Sequence, residues 1–584
     1  MRFATWSPTE SKIAFHSKDV LYFVEAPFTT VPVEVYRGEP DVVFAGIPDW
    51  LYEEDILHTD EAIWWSPDSR FLLFAVFNDT QVPQFSVPFY DTEDIYSCQR
   101  QVHYPKAGDR AASMINPTFE LFILDTNRDQ SDPGRLERIF PAEGAPVGGH
   151  PDSICAYLTA VTWINSSSVL MTCQNRFQNE SSVFRYQFSH PTTWRGREMP
   201  FPLAQKAPAG GAWLPRLNFA NFGEATFMIW PSMINAAAYR QIYLLPKSLR
   251  TAFAIGGGDL APILQACGQF DVSEIVQFDA ANNLLYFMAA ADENSQGDTR
   301  MRNLFAVSVF AQHPLYKDCS ALTCISCQFN CIYGTPQFSK STVDGAQLIL
   351  YHCDAPIDKE SPDYDRPHML PTGVPFSAVY KLNIVNGTVR PEELIVLESN
   401  EELKEIISNR SMPIIEWHRI ELNRTESMGM NEPAPTAWAR ILYSRRINPK
   451  HVFKFPMLLI ANNEPESQSV NLAFRLNLEY FLAATMGVVS VQIDGRGTFG
   501  QGLAYEQVIY KKLGDYELQD QLKAVEYFQN LYPFVEHRKT AVYGSDFGGF
   551  LAGKLAINDQ EAVRCSIAIA PIVQWRLHCK LKFY

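Results

Sequence analysis

Positive charge is short in this chain: 49 Lys and Arg stand against 65 Asp and Glu in 584 residues, a net charge of −16. Proteins that grip nucleic acid match its phosphates with Lys and Arg, so this balance argues against such a partner. Long apolar runs are also missing. None approaches the length of a transmembrane helix. The start, Arg2 followed by Phe-Ala-Thr-Trp-Ser-Pro, lacks the pattern of a signal peptide. The third absence is local: where a strand, a glycine turn and a helix follow one another near the end of the chain, the turn holds no serine framed by glycines.

That turn organises the rest. Ala541-Val542-Tyr543 reads as a short strand and Phe550 onward as a helix, with Gly544-Ser545-Asp546-Phe547-Gly548-Gly549 between them. This is the setting of the nucleophile elbow, G-x-S-x-G, where glycines flank the nucleophile because side chains there would block a strained turn. The frame Gly544-x-Asp546-x-Gly548 fits, with aspartate at its centre. Ser545 sits one place too early: its glycine positions would fall on Tyr543 and Phe547.

At 584 residues the chain is too long for one ordinary core, so two or more domains are expected. Cys324, Cys327 and Cys331, followed by Cys353, give a C-x2-C-x3-C cluster. Zinc or two disulfides would fit it. No second C-x-x-C follows, and His352 adjoins Cys353 at poor spacing for a finger, which favours disulfides. Six N-x-S/T sequons, at Asn78, Asn165, Asn179, Asn386, Asn409 and Asn423, point the same way, to a glycoprotein with a secretory history. No motif calls for a cofactor or a metal.

Up to about residue 397 the pattern is repeated short strands. Trp6 precedes Lys12-Ile13-Ala14-Phe15, and Trp64-Trp65-Ser66-Pro67 precedes Phe71-Leu72-Leu73-Phe74. Trp163 precedes Val169-Leu170-Met171, Phe219 precedes Phe227-Met228-Ile229, Phe278 precedes Leu284-Leu285-Tyr286, and Phe338 precedes Leu348-Ile349-Leu350. Each is an aromatic, a mostly polar turn and an apolar strand, recurring every 56 to 60 residues apart from one gap of 98. Such a period predicts a β-propeller over 1–397. The polar stretch from Glu398 to Ile407 marks a boundary and a short linker helix capped by Ser399 or Asn400. From 398 to 584 buried strands (Met457–Ala461, Val488–Ile493) alternate with helices expected over 470–485 and from Asp515, taken as an N-cap, to Leu531. That predicts an α/β domain with a mostly parallel sheet.

The motifs resemble the dipeptidyl peptidase IV family of the prolyl oligopeptidase clan. They are Asp49-Trp50-Leu51-Tyr52-Glu53-Glu54-Asp55, Trp64-Trp65-Ser66-Pro67, Phe77-Asn78-Asp79-Thr80, Tyr104-Pro105-Lys106-Ala107-Gly108, the Cys324–Cys353 cluster and Asp494-Gly495-Arg496-Gly497. The resemblance implies a β-propeller, here incomplete and lacking at least its first blade, followed by an α/β-hydrolase domain truncated at its C-terminal end. It also implies pairing of Cys324 with Cys327 and Cys331 with Cys353, one of three possible pairings. Cys155, Cys173 and Cys565 stay unassigned. In active relatives an acidic pair grips the substrate's amine by charge-assisted bonds; by motif position it falls on Glu54 and Asp55, for which a structural or dimer-related role is the competing reading. The oxyanion donors would be the Phe547 backbone and a tyrosine whose place is taken by Asn462.

The aspartate at the elbow looks like the catalytically silent, potassium-channel-associated members of the family, which are dimeric type II plasma-membrane glycoproteins. The resemblance thus implies a non-enzymatic partner of voltage-gated A-type potassium channels, with a membrane anchor expected upstream of Met1. A serine triad on this fold runs Ser, then Asp or Glu, then His. With the last residue 38 positions past Asp546, the triad acid and histidine are expected to be absent. Two enzymatic readings compete: a dipeptidyl aminopeptidase releasing X-Pro dipeptides, and an aspartate nucleophile of the haloalkane dehalogenase kind.

Overall fold

The computed structural model describes every residue except 1, 28–30, 91–95, 107–115, 143–144, 151–152, 190–192, 199–204, 207–212, 216–217, 224, 235–236, 246–267, 310–321, 344, 362, 365, 367, 370–371, 386, 426–432, 448–452, 462–463, 559–560 and 579–584. The chain forms two compact units. One comprises Met1–Met228, Leu244–Leu260 and Gln574–Tyr584; the other comprises Ile229–Tyr243 and Ala261–Val573.

In the first unit, each aromatic of the sequence repeat sits on the first strand of a hairpin whose second strand is the apolar run. Trp6 lies opposite Ile13, Trp65 opposite Leu72 and Trp163 opposite Val169. These hairpins belong to successive antiparallel sheets of four, five and five strands. They are consecutive because a hairpin joins neighbouring strands with the shortest loop. The strand Phe71–Asn78 is buried along almost its whole length. Its Phe71 packs against Trp163 and Trp194, with ring centroids 6.3 and 5.2 Å away. The 98-residue gap has a simple cause: a hairpin, Gln84–Phe89 with Cys98–His103, is inserted between the strands Phe71–Asn78 and Thr118–Asp125 of the second sheet.

The second unit holds two further four-stranded antiparallel sheets, Val272–Cys324 and Gly334–Glu398, in which Phe278 faces Leu285 and Phe338 faces Ile349. A three-stranded sheet, Asn218–Leu245, precedes them in the chain. These sheets are the blades of a β-propeller. Cys324 is bonded to Cys327 and Cys331 to Cys353, pinning the start of the last blade. In the first unit Cys155 is bonded to Cys173, a pairing not assigned from the sequence. Among the described residues Cys98 and Cys565 carry free thiols.

After Glu398 the sheet type changes. A six-stranded mixed sheet runs in the order Ile414–Glu421, Thr436–Tyr443, Val489–Asp494, Phe455–Ile460, Val535–Ser545, Cys565–Ile569. The last four are mutually parallel, and the first two antiparallel strands complete an α/β-hydrolase sheet. Three local expectations need correction. The helix expected over 470–485 begins only at Leu478, because the Ser469 and Val470 backbone N–H groups donate to the Asp494 carboxylate (3.1 and 2.8 Å) and Val470 and Leu472 are buried in a cluster with Trp417. Asp515 precedes the helix Tyr516–Leu531 without capping it; Glu517 instead accepts from the Gly514 N–H at 3.0 Å. Asn400 likewise makes no side-chain cap to Glu401–Ser408, and its amide donates to the Pro375 carbonyl.

Candidate functional site

The elbow is built by crowding. The strand Val535–Ser545 lies parallel to both Phe455–Ile460 and Cys565–Ile569, and the helix Asp546–Asn558 starts at once. To make so sharp a reversal, Asp546 adopts φ +51°, in the left-handed region that asparagine and aspartate tolerate better than most residues. The glycines are steric necessities. A methyl on Gly544 would lie 2.2 Å from the Gly548 carbonyl oxygen and 2.9 Å from that of Ala461; one on Gly549 would lie 2.7 Å from the Ile569 carbonyl oxygen. The Ala461 N–H donates to the Tyr543 carbonyl at 2.8 Å, locking the end of the neighbouring strand to the elbow.

Asp546 is exposed at the tip and Phe547 is buried behind it, its ring 5.7 Å from Phe550. The Phe547 backbone N–H thus falls in the first turn of the helix, where an oxyanion would find a donor. No side chain among the described residues hydrogen-bonds to the Asp546 carboxylate. Asn462 and the sequon at Asn386 lie outside the described residues.

The nearby Asp494-Gly495-Arg496-Gly497 stretch is scaffolding. The Arg496 guanidinium forms a buried pair with Asp520, 2.5 Å at its shortest, and its backbone N–H donates to the same carboxylate. Burial pushes the Asp494 carboxyl up to about 6, against the two backbone N–H groups that favour its charged form. Gly497, at φ +98°, allows Ile509 to close over the loop.

The acidic pair belongs to the first unit. Tyr52–Leu57 forms a helical turn. Asp49 starts it by accepting from the Leu51 and Tyr52 N–H groups (3.0 and 3.4 Å). Trp50 stacks on Tyr104 at 5.1 Å and donates to the His103 carbonyl. Buried Tyr52 accepts from the Leu158 N–H. These anchors leave Glu54 exposed and Asp55 half-buried on one turn. Sequence reasoning missed the buried acid behind them: burial and the charge of Asp49 lift Asp79 to about 8, and burial lifts Asp49 to about 7. Of the sequons, Asn78, Asn165, Asn409 and Asn423 are exposed, whereas Asn179 is half-buried and its side-chain oxygen accepts from Asn175.

Antiparallel blades followed by a mixed sheet carrying a strand–turn–helix elbow define a propeller-bearing protein of the prolyl oligopeptidase type. Residues 1–356 match the dipeptidyl peptidase IV N-terminal region and residues 473–583 the prolyl oligopeptidase family. The chain belongs to the dipeptidyl peptidase IV family. It is 27% identical to prolyl endopeptidase FAP of Mus musculus, over 100% of this chain and 67% of that protein. It is 26% identical to dipeptidyl peptidase 4 of Bos taurus (98% and 66%), and 24% identical to inactive dipeptidyl peptidase 10 of Mus musculus (99% and 63%). The chain therefore spans about two thirds of the length of these relatives. The crystal structure of Porphyromonas gingivalis dipeptidyl peptidase 4 shares the fold, with a TM-score of 0.73 at 20% identity over 99% of this chain and 69% of that one. No helix among the described residues is long and apolar enough to cross a membrane.

Proposed function

We propose that this protein is a catalytically inactive member of its family that works through protein–protein contacts, as a homodimeric auxiliary subunit of voltage-gated A-type potassium channels, tethered at the plasma membrane as a type II glycoprotein. The observation that carries the first part is Asp546 at the elbow. Acyl transfer needs a neutral hydroxyl that a neighbouring base deprotonates as it attacks. An exposed carboxylate with no described hydrogen-bonding partner offers no proton to a base, and its acyl product would be an anhydride. Asn462, in place of the tyrosine donor, weakens the oxyanion site further; loss of one such donor typically costs about 10²–10³ in rate. The channel role rests on likeness to the silent members.

The test has two readouts. Purified protein incubated with a Gly-Pro-amide reporter should release nothing above the blank. From a membrane extract it should co-purify with an A-type channel subunit. Reporter turnover abolished by Asp546→Asn would overturn the first part, and absence of the channel from the eluate would overturn the second. The reading as an X-Pro dipeptidyl aminopeptidase draws support from one observation: the relatives named prolyl endopeptidase and dipeptidyl peptidase 4, at 27% and 26% identity, are more similar to this chain than the one named inactive, at 24%.

A further inference from the structure

A polar cleft of about 400 Å³ opens in the second unit, away from the elbow residues, with Arg419, Trp438, Tyr239 and Thr299 among its walls. That volume lies in the range of small-ligand sites. Its rim is held by close backbone approaches that only glycine permits. A methyl on Gly268 would meet the Ser295 carbonyl oxygen at 2.3 Å, and one on Gly297 would meet that of Gln269 at the same distance.

Two of its polar groups keep hydrogen-bonding capacity that no described residue uses. Thr299 is 4% exposed, and its hydroxyl has no hydrogen-bond partner. Arg419 uses its Nε on the Thr436 hydroxyl at 2.9 Å, and its terminal nitrogens meet no acceptor among the described residues. Neighbouring charges are already matched. Arg300, stacked 3.7 Å over Trp438, gives both arms of its fork to Asp298. Arg240 is paired with Glu506, and Asp271 accepts from the Arg240 and Gly502 backbone N–H groups. Arg419 is thus the cation around this cleft that lacks a counter-charge among the described residues. Its charge bears on the Tyr239 phenol, whose pKa is raised by burial and by Asp271 and lowered by Arg419.

We infer that this cleft binds a small carboxylate carrying hydroxyl groups, the chemistry of an acidic sugar. The free guanidinium arms match a carboxylate with two parallel bonds. The Thr299 hydroxyl and the amides of Gln269 and Gln296 both donate and accept, as sugar hydroxyls require. The Tyr239 ring gives a flat wall for the carbon skeleton, while Trp438 carries the guanidinium groups of Arg300 and Arg419, 3.7 and 5.9 Å from its ring centre.

Saturation-transfer NMR on the intact protein with N-acetylneuraminic acid, D-glucuronate, glucose and acetate tests this. Signal from at least one acidic sugar is expected, with none from glucose or acetate at equal concentration. Arg419→Met should weaken binding by about tenfold or more, the loss of one charge-assisted contact. Thr299→Val, which keeps the shape, should weaken it by a smaller factor. Silence from both acidic sugars, equal signal from glucose or acetate, or undiminished binding by a folded Arg419→Met protein would overturn the inference.

Discussion

Asp79 shows how burial and a neighbouring like charge set a residue's chemistry. It is 2% exposed, one of its oxygens has no hydrogen-bond partner, and Asp49 adds like charge. Its folded pKa, about 8, stands above the ordinary 3.8. The folded protein therefore holds a proton that the unfolded chain has released, and stability falls as pH rises from about 4 through about 8. Asp49, at about 7, acts in the same direction. Asp79→Asn removes the charge while keeping the shape. It should raise stability at pH 8 by roughly 1–3 kcal/mol, raise it less at pH 5, leave it nearly unchanged below about pH 4, and flatten the pH dependence of the melting temperature. Melting curves of both proteins across that range check this; a parallel shift at every pH would exclude the buried charge as the cause. Nothing in the motif Asp49-Trp50-Leu51-Tyr52 announces this coupling, because Asp79 is 30 residues away and only the fold brings its field to bear.

At the level of the element, the elbow and the hairpins were legible for different reasons. The elbow is written in its glycines, since the turn leaves no room for a β-carbon. Gly544→Ala should therefore cost about 1–3 kcal/mol, as core overpacking does, measurable as a lower denaturant midpoint. An unchanged midpoint would mean that the strand and helix relax apart easily. The hairpins are written in an aromatic, a turn and an apolar run, and the register confirms each pairing given above. The bond between Cys155 and Cys173 was not read, although the signal existed: Cys155 lies just before the strand Tyr157–Asn165 and Cys173 near the end of its hairpin partner Ser168–Gln174, so the hairpin folds one back beside the other. Its closed loop is short, so the double substitution to serine should cost about 2–4 kcal/mol; thermal unfolding with and without reductant would show it. The helix expected over 470–485 failed because a carboxylate far along the chain, Asp494, claims the backbone donors that the helix would have used. Local periodicity carries no trace of such a competitor.

For the whole molecule, the change of sheet type at Glu398 was visible in the sequence, but the compact units are not divided there. The blades after Val272 and the hydrolase sheet belong to one unit. A buried ion pair helps to join them. Arg240, on a blade strand, gives both arms to Glu506 at 2.5 and 2.9 Å, and Glu506 is fully buried in the short helix Leu503–Gln507 that follows the strand Val489–Asp494. Burial pushes the Glu506 carboxyl up, to about 7, against the pull of Arg240. Taking one partner from such a pair leaves the other charged and unsolvated, typically a loss of about 3–5 kcal/mol. Glu506→Gln should therefore destabilise the second unit as a unit. Hydrogen exchange should rise together in the strands Leu284–Ala289 and Val489–Asp494, one a blade strand and the other in the hydrolase sheet. Faster exchange confined to the short helix around Glu506 would show instead that blades and sheet unfold independently, and that the boundary visible in the sequence is also the boundary of cooperativity.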